Sequence, residues 1–142
     1  MLNTECLTYA IGGGVAIHRD VFEKIGFWDE KYFLYFEDAD FSLRAQKAGI
    51  PVTIAPDVMI YHNSSSSTKK LGSPLLLRYH YRNALYFNLK NGSWYIKMAV
   101  WFWSFWIVKR QILKIICRYK TEESHAILNG VFDFYHHRMG KI

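Results

Sequence analysis

The sequence predicts an α/β fold followed by a helical, aromatic-rich second half. Three observations lead there. Extended-looking segments and short amphipathic helices share the stretch from Leu7 to His62, glycines fall where those helices should stop, and from Pro74 onward the pattern becomes helical, aromatic and basic. At 142 residues the chain supports one domain or part of one, and 51% hydrophobic against 21% charged residues excludes intrinsic disorder.

Residues from Leu7 to Ile17 read as extended, interrupted by Gly12, Gly13 and Gly14. A glycine triplet in a strand permits a bulge or the close approach of a ligand to the backbone, and nothing beside it supplies the Lys and Ser or Thr of a phosphate-cradling loop. "RDVFEKIG" then reads as a short helix closed by Gly26. The stretch "YFLYFEDADFSLRAQKAG", Tyr32 to Gly49, gathers Glu37, Asp38 and Asp40 between an aromatic run and a helix with Phe41, Leu43, Ala45 and Ala48 on one side. Asp38 or Asp40 can cap that helix, and Gly49 marks its end. "IPVTIAPDVMIYH" gives two short strands divided by Pro56 and Asp57, and "NSSSSTKKLGS" is a polar loop with a basic end.

"PLLLRYHYRNALYFNLKNG" forms a helix starting at Pro74, with Arg78, Arg82 and Asn83 near one another across its turns. The next segment, "YIKMAVWFWSFWIVKRQILKIICRYK", has an apolar run of only 11 residues, Met98 to Val108. A bilayer crossing needs about 20. With Lys109, Arg110, Lys114, Arg118 and Lys120 following, the segment reads as an interfacial or re-entrant helix, a buried core helix being the plainer alternative.

The net charge of +6 favours an anionic partner, and the clustering of aromatic residues in Trp94 to Trp106 favours a membrane surface among such partners. Cys6 and Cys117 fit no metal or redox spacing and read as idle thiols of a reducing compartment. The N-terminal segment lacks the basic and apolar regions of a secretory signal, which takes the weight from the sequons at Asn63 and Asn91.

A helix N-terminus carries partial positive charge and stabilises a carboxylate in its ionised form, the form a general base requires. Such acids are more often simple caps. His62 ends a strand and precedes the polar loop; a lone histidine is usually structural, but strand ends facing loops are where α/β folds build sites.

Taken together, "GGGVAIHRDVFEKIGFWDEKYFLYFEDADFSLRAQKAGIPVTIAPDVMIYHNSSSS" resembles the C-terminal half of the catalytic domain of family 2 inverting glycosyltransferases, especially rhamnosyltransferase-like and galactofuranosyltransferase-like members. The likeness runs from about Leu7 to Ser67 and continues through "RYHYRN" and "ILNGVFDFYHHRMGK". It implies the acceptor-side part of a GT-A nucleotide-diphospho-sugar transferase fold in residues 1–72, with a helical, membrane-interfacial extension in residues 73–142. On this resemblance Asp38 is the base that deprotonates the acceptor hydroxyl, Glu37 positions the acceptor or tunes the base, and Asp40 and Arg44 support them. Gly12, Gly13, Gly14, Trp28 and Asp29 line the acceptor pocket, and His62 completes the coordination of Mg2+ or Mn2+. The chemistry so implied is a single displacement with inversion at the anomeric carbon.

The family's nucleotide-binding half and its Asp-x-Asp motif, the source of the main metal ligands, are not found in these residues, and Asp38-Ala39-Asp40 is not that motif. The expectation is therefore a C-terminal fragment, inactive when isolated. The partners implied are a nucleotide-diphospho-sugar donor, a glycan or lipid-linked acceptor, the cytoplasmic face of the cell membrane, and possible further copies of the chain in a homo-oligomer. A non-catalytic membrane-surface module is the alternative. A nucleic-acid partner is not expected, because the aromatic residues sit in an apolar run rather than among bases along a groove.

Overall fold

A computed structural model of the chain describes residues 9–10, 12–55, 57–61 and 73–142. Among them are five helices: α1 (Arg19–Ile25), α2 (Glu37–Lys47), α3 (Ser73–Asn91), α4 (Trp94–Ile116) and α5 (Thr121–Tyr135). No strand forms among the described residues, so the expected α/β class, as part of a GT-A sheet, is corrected to an all-helical one. Gly12 to Gly14 lie in a turn rather than a strand bulge, and the segment read as two strands from Ile50 contains a single isolated bridge at Val52. The physical reason is pairing: β-branched residues favour extended backbone, but a strand exists only when a neighbour takes up its hydrogen bonds. Here Ile54, Val58, Met59, Ile60 and Tyr61 are exposed instead of packed in a sheet. Pro56, His62, the loop after it and the start of the Leu7–Ile17 segment lie outside the described residues.

The chain divides into two compact units, Met1–Glu30 with Glu37–Ser64, and Lys31–Phe36 with Ser65–Ile142. In the first, α1 is seven residues long and buries none of them, so its stability comes from its ends and from α2. The His18 ring accepts from the Asp20 N–H, and Gly26 leaves the helix at φ 77°, a conformation open to glycine at little cost. Phe22 packs in a cluster with Phe27, Trp28 and Phe41, and Lys24 donates to the Ala48 carbonyl at 3.0 Å. In α2 the acids occupy the first turn and Arg44 and Lys47 the last, matching the helix dipole. All three acids lie inside the helix, so neither Asp38 nor Asp40 is the cap the sequence suggested. At the other end Gly49 takes φ 71° and the Ile50 N–H reaches back to the Ala45 carbonyl at 2.9 Å.

In the second unit α5 packs against both α3 and α4 around Leu85, Ile107, Ile127 and Val131. The approach of α5 to α3 is close because Gly130 faces the Arg78 backbone, where a β-carbon would come within 2.4 Å of the Arg78 carbonyl oxygen. Beside it Arg78 donates to the buried Asp133 at 2.6 Å, and burial at the α4–α5 contact is satisfied by a Ser124–Gln111 hydrogen bond of 3.1 Å.

Residues Lys31–Phe36 form a strap on this unit, held by two adjacent, fully buried side chains of α3. Asn83 donates to the carbonyls of Tyr32, Leu34 and Tyr35 at 2.9, 2.6 and 3.1 Å. Arg82 donates to the Tyr32, Lys31 and Arg138 carbonyls and to Asn83 Oδ1, with its guanidinium over the Tyr79 ring. Burial pulls the Arg82 guanidinium below its ordinary range, and the ring of carbonyls offsets that cost. The strap is strained: Phe33, Tyr35 and Phe36 have φ of 61°, 66° and 72°, values that L-residues with large side chains avoid. Its conformation persists because the donors of α3 over-determine it.

Candidate active site

The acid cluster is built on the first turn of α2, and its members have different partners. Asp38 Oδ2 accepts the Gly12 N–H at 3.2 Å, Oδ1 accepts the Ala39 N–H at 2.8 Å, and the Tyr9 phenol lies near enough to feel this carboxylate. Burial, then the hydrogen bond to Asp38, then the charges of Asp38 and Glu37 push the Tyr9 phenol up to about 12. The Tyr9 phenol thus stays protonated at any physiological pH. Gly12 acts here through its N–H; a β-carbon there would only make ordinary contact with Asp38, 3.6 Å away.

Glu37 is half-buried, and its Oε2 has no hydrogen-bond partner. Burial raises its carboxyl above the usual range, its own backbone N–H pulls the other way, and the neighbouring Asp38 charge raises it further. Asp40 has a separate role: fully buried, it pairs with Arg44 Nε at 2.9 Å. Arg44 also donates to the carbonyls of Ile25, Gly26 and Phe27, so one guanidinium neutralises the buried acid and ties α2 to the end of α1. Ser42, likewise buried, accepts the Ala10 N–H at 3.0 Å and holds the segment that carries Tyr9.

The structure therefore brings together Asp38, Glu37 and Gly12 from the predicted set, while Asp40 and Arg44 support the helix that carries the acids. Gly13 and Gly14 are exposed in the same turn, and a β-carbon at Gly14 would meet the end of the Ile60 side chain. Trp28 stacks on Phe41 with ring centroids 4.8 Å apart, so part of the indole is already used in packing α1 on α2. Its 36% exposure leaves part of the residue open to solvent. Asp29 is partly buried in the same loop. Tyr9 and Ser42 escaped sequence reasoning because their partners lie some 30 residues away and no local spacing marks them.

His62, the one metal ligand the resemblance supplied, lies outside the described residues. Among the described residues no three His, Cys, Asp or Glu side chains converge, and Asp38 and Asp40 are engaged by Tyr9, Gly12 and Arg44. These residues do not by themselves fit a divalent ion. What the arrangement can do is accept a proton. A carboxylate offers about four acceptor positions, and backbone N–H groups occupy two of them on Asp38, which leaves acceptor capacity for an incoming hydroxyl.

A family profile described as glycosyl transferase family group 2 matches residues 1–128. The chain is 27% identical, over 63% of its own length and 29% of the relative's, to an N-acetylglucosaminyl-diphospho-decaprenol L-rhamnosyltransferase of Mycobacterium tuberculosis. It is 32% identical to the dTDP-rhamnosyl transferase RfbF of Shigella flexneri, over 57% of this chain and 30% of that one. The low-salt glycan biosynthesis hexosyltransferase Agl10 of Haloferax volcanii is 28% identical over 57% and 26% of the two chains. The chain thus spans less than a third of the length of these relatives. No solved structure matches.

Proposed function

Because the chain belongs to glycosyl transferase family group 2, we propose that it carries the acceptor-activating acid of an inverting sugar transfer, with Asp38 as the general base. The donor is a nucleotide-diphospho-sugar, dTDP-rhamnose or another hexose nucleotide, in keeping with what the relatives' names say of them. The acceptor is a hydroxyl of a lipid-linked glycan or cell-surface polysaccharide.

The observation that carries the reading is the orientation of Asp38 at the start of α2, fixed by two backbone donors with acceptor capacity to spare. In the reaction Asp38 takes the proton of the acceptor hydroxyl, the oxygen forms a bond to the anomeric carbon, and the bond to the nucleotide diphosphate breaks with its electron pair, inverting the centre. Glu37 lies beside the base with its unpartnered Oε2 buried away from solvent, so it tunes the base through its charge rather than reaching the acceptor with that oxygen. The turn of Gly12 to Gly14 and the exposed part of Trp28 border the acceptor, the indole offering an apolar surface to a sugar ring. No step of this reading passes through a metal.

The test is transfer from dTDP-rhamnose and related hexose nucleotides by the whole protein that contains this chain, wild type against Asp38→Asn. Loss of about 10²- to 10⁴-fold in kcat is expected of a general base. Retention of activity within about tenfold would remove Asp38 from that role.

A further inference from the structure

The α4 helix is inverted relative to an ordinary surface helix. Its buried residues, Ser104, Ile107 and Gln111, face the rest of its unit, and two of the three are polar. Its outward face is apolar: Met98, Phe102, Phe105, Leu113 and Ile116 are exposed, Phe102 and Phe105 to 71% and 74%. Exposed Lys109 stands on the same stripe, one turn after Phe105 and one turn before Leu113, and so large an exposed apolar share on a folded chain marks an interaction surface. The helix is not a crossing, since no helix among the described residues is long and apolar enough to span a membrane.

Charge selects the occupant. Between Trp94 and Lys120 stand Lys97, Lys109, Arg110, Lys114, Arg118 and Lys120, and not one carboxylate. Arg110 lies over the Trp106 ring and Lys114 over the Tyr119 ring, so the cations flank aromatic residues as they do at the boundary of headgroup and acyl chain. A second copy of the same surface would set cation against cation, whereas an anionic lipid surface complements it.

A groove of about 630 Å³ opens beside this face, lined by Met98, Trp101, Phe102, Phe105, Val108 and Tyr135. Its hydroxyls, Ser104 and Tyr135, bond to each other at 2.7 Å and demand no polar ligand. Hydrocarbon fits such a groove better than a sugar or nucleotide does.

We infer that α4 lies in the plane of an anionic bilayer, with its outward face at the acyl boundary and the side groove open to a lipid tail. This surface is independent of the transfer chemistry, and it is tested without an activity assay. The 142-residue chain is floated with vesicles of phosphatidylcholine alone and of phosphatidylcholine with 30% phosphatidylglycerol. Binding to the anionic vesicles at least tenfold above the neutral ones is expected, weakening as salt rises. Lys109→Gln and Arg110→Gln should each lower it about fivefold. Phe102→Glu with Phe105→Glu, both exposed and therefore compatible with folding by circular dichroism, should abolish it. Equal binding to both vesicle types, or binding unaffected by the double variant, overturns the inference. So does self-association in sedimentation equilibrium that the double variant abolishes while the wild type ignores vesicles; that result would assign the face to a second copy.

Discussion

Asn83→Ala is the most informative single change in the second unit. The Asn83 amide has two hydrogens and faces three carbonyls, while its oxygen accepts from Arg82 Nε at 3.0 Å. Loss of the equivalent of two or three net hydrogen bonds at about 1 kcal/mol each, and of a partner for the buried Arg82, sums to about 3–5 kcal/mol. That full loss would be felt only if the strap stayed in place. Three non-glycine residues at positive φ hold strain of about 1–2 kcal/mol each, released if the strap lets go. Detachment is then the less costly alternative, so the net destabilisation should stay below about 3–5 kcal/mol, and it should be local. Urea unfolding should report that loss, and hydrogen exchange should show the Leu34 N–H, bonded to the Tyr32 carbonyl at 2.8 Å, losing protection while α1 and α2 keep theirs. A change below about 1 kcal/mol with Leu34 still protected would refute the idea that α3 over-determines the strap.

Other consequences are as direct. Gly130→Ala gains about 1 kcal/mol of helix propensity but forces a β-carbon against the Arg78 backbone, so overpacking of about 1–3 kcal/mol or more should win and the Tm should fall. Arg44→Gln removes the cation that neutralises buried Asp40 together with donors to three carbonyls, and about 3 kcal/mol of stability should go in chemical denaturation. Asp38→Asn removes one partner that holds up the Tyr9 phenol, so its ionisation, followed by carbon-13 NMR of labelled tyrosine, should move from about 12 toward the ordinary 10. Glu37 has a folded-state pKa above its ordinary 4.5, so the native state binds the extra proton and stability falls as pH rises through that shifted range. Glu37→Gln should then stabilise the chain at pH 7, with the gain vanishing below about pH 4; a gain that is the same at both pH values would contradict the shift.

Helix positions were readable where a residue has a local reason to be there. Gly26 and Gly49 end α1 and α2 at positive φ, Pro74 stands in the first turn of α3, and the acids open α2. The strands were misread because Val52, Ile54, Val58 and Ile60 signal a preference for extended backbone, not the presence of a partner to bond it. At the candidate site the local signal placed Glu37, Asp38 and Asp40 at a helix start, and only the family resemblance singled out Asp38 among them. Local spacing could not point to Tyr9 or tell Asp38 from Asp40, because Tyr9 and the Gly12 N–H arrive from far along the chain, and which acid of the cluster meets Arg44 depends on the rotation of the helix. Arg82 and Asn83 were legible as neighbours on one helix, yet what they hold lies some 50 residues upstream.

That separation has a consequence during synthesis. Tyr32 precedes its anchor Asn83 by 51 residues, and at about 5–20 residues per second the ribosome delivers the anchor roughly 3–10 s after the strap. In that interval "YFLYF" emerges with four aromatic rings, no α3 to receive them, and a final conformation it has no intrinsic tendency to adopt. The nascent chain thus presents an aromatic pentapeptide immediately before its acids, without its native partner until the Asn83 amide arrives to capture it.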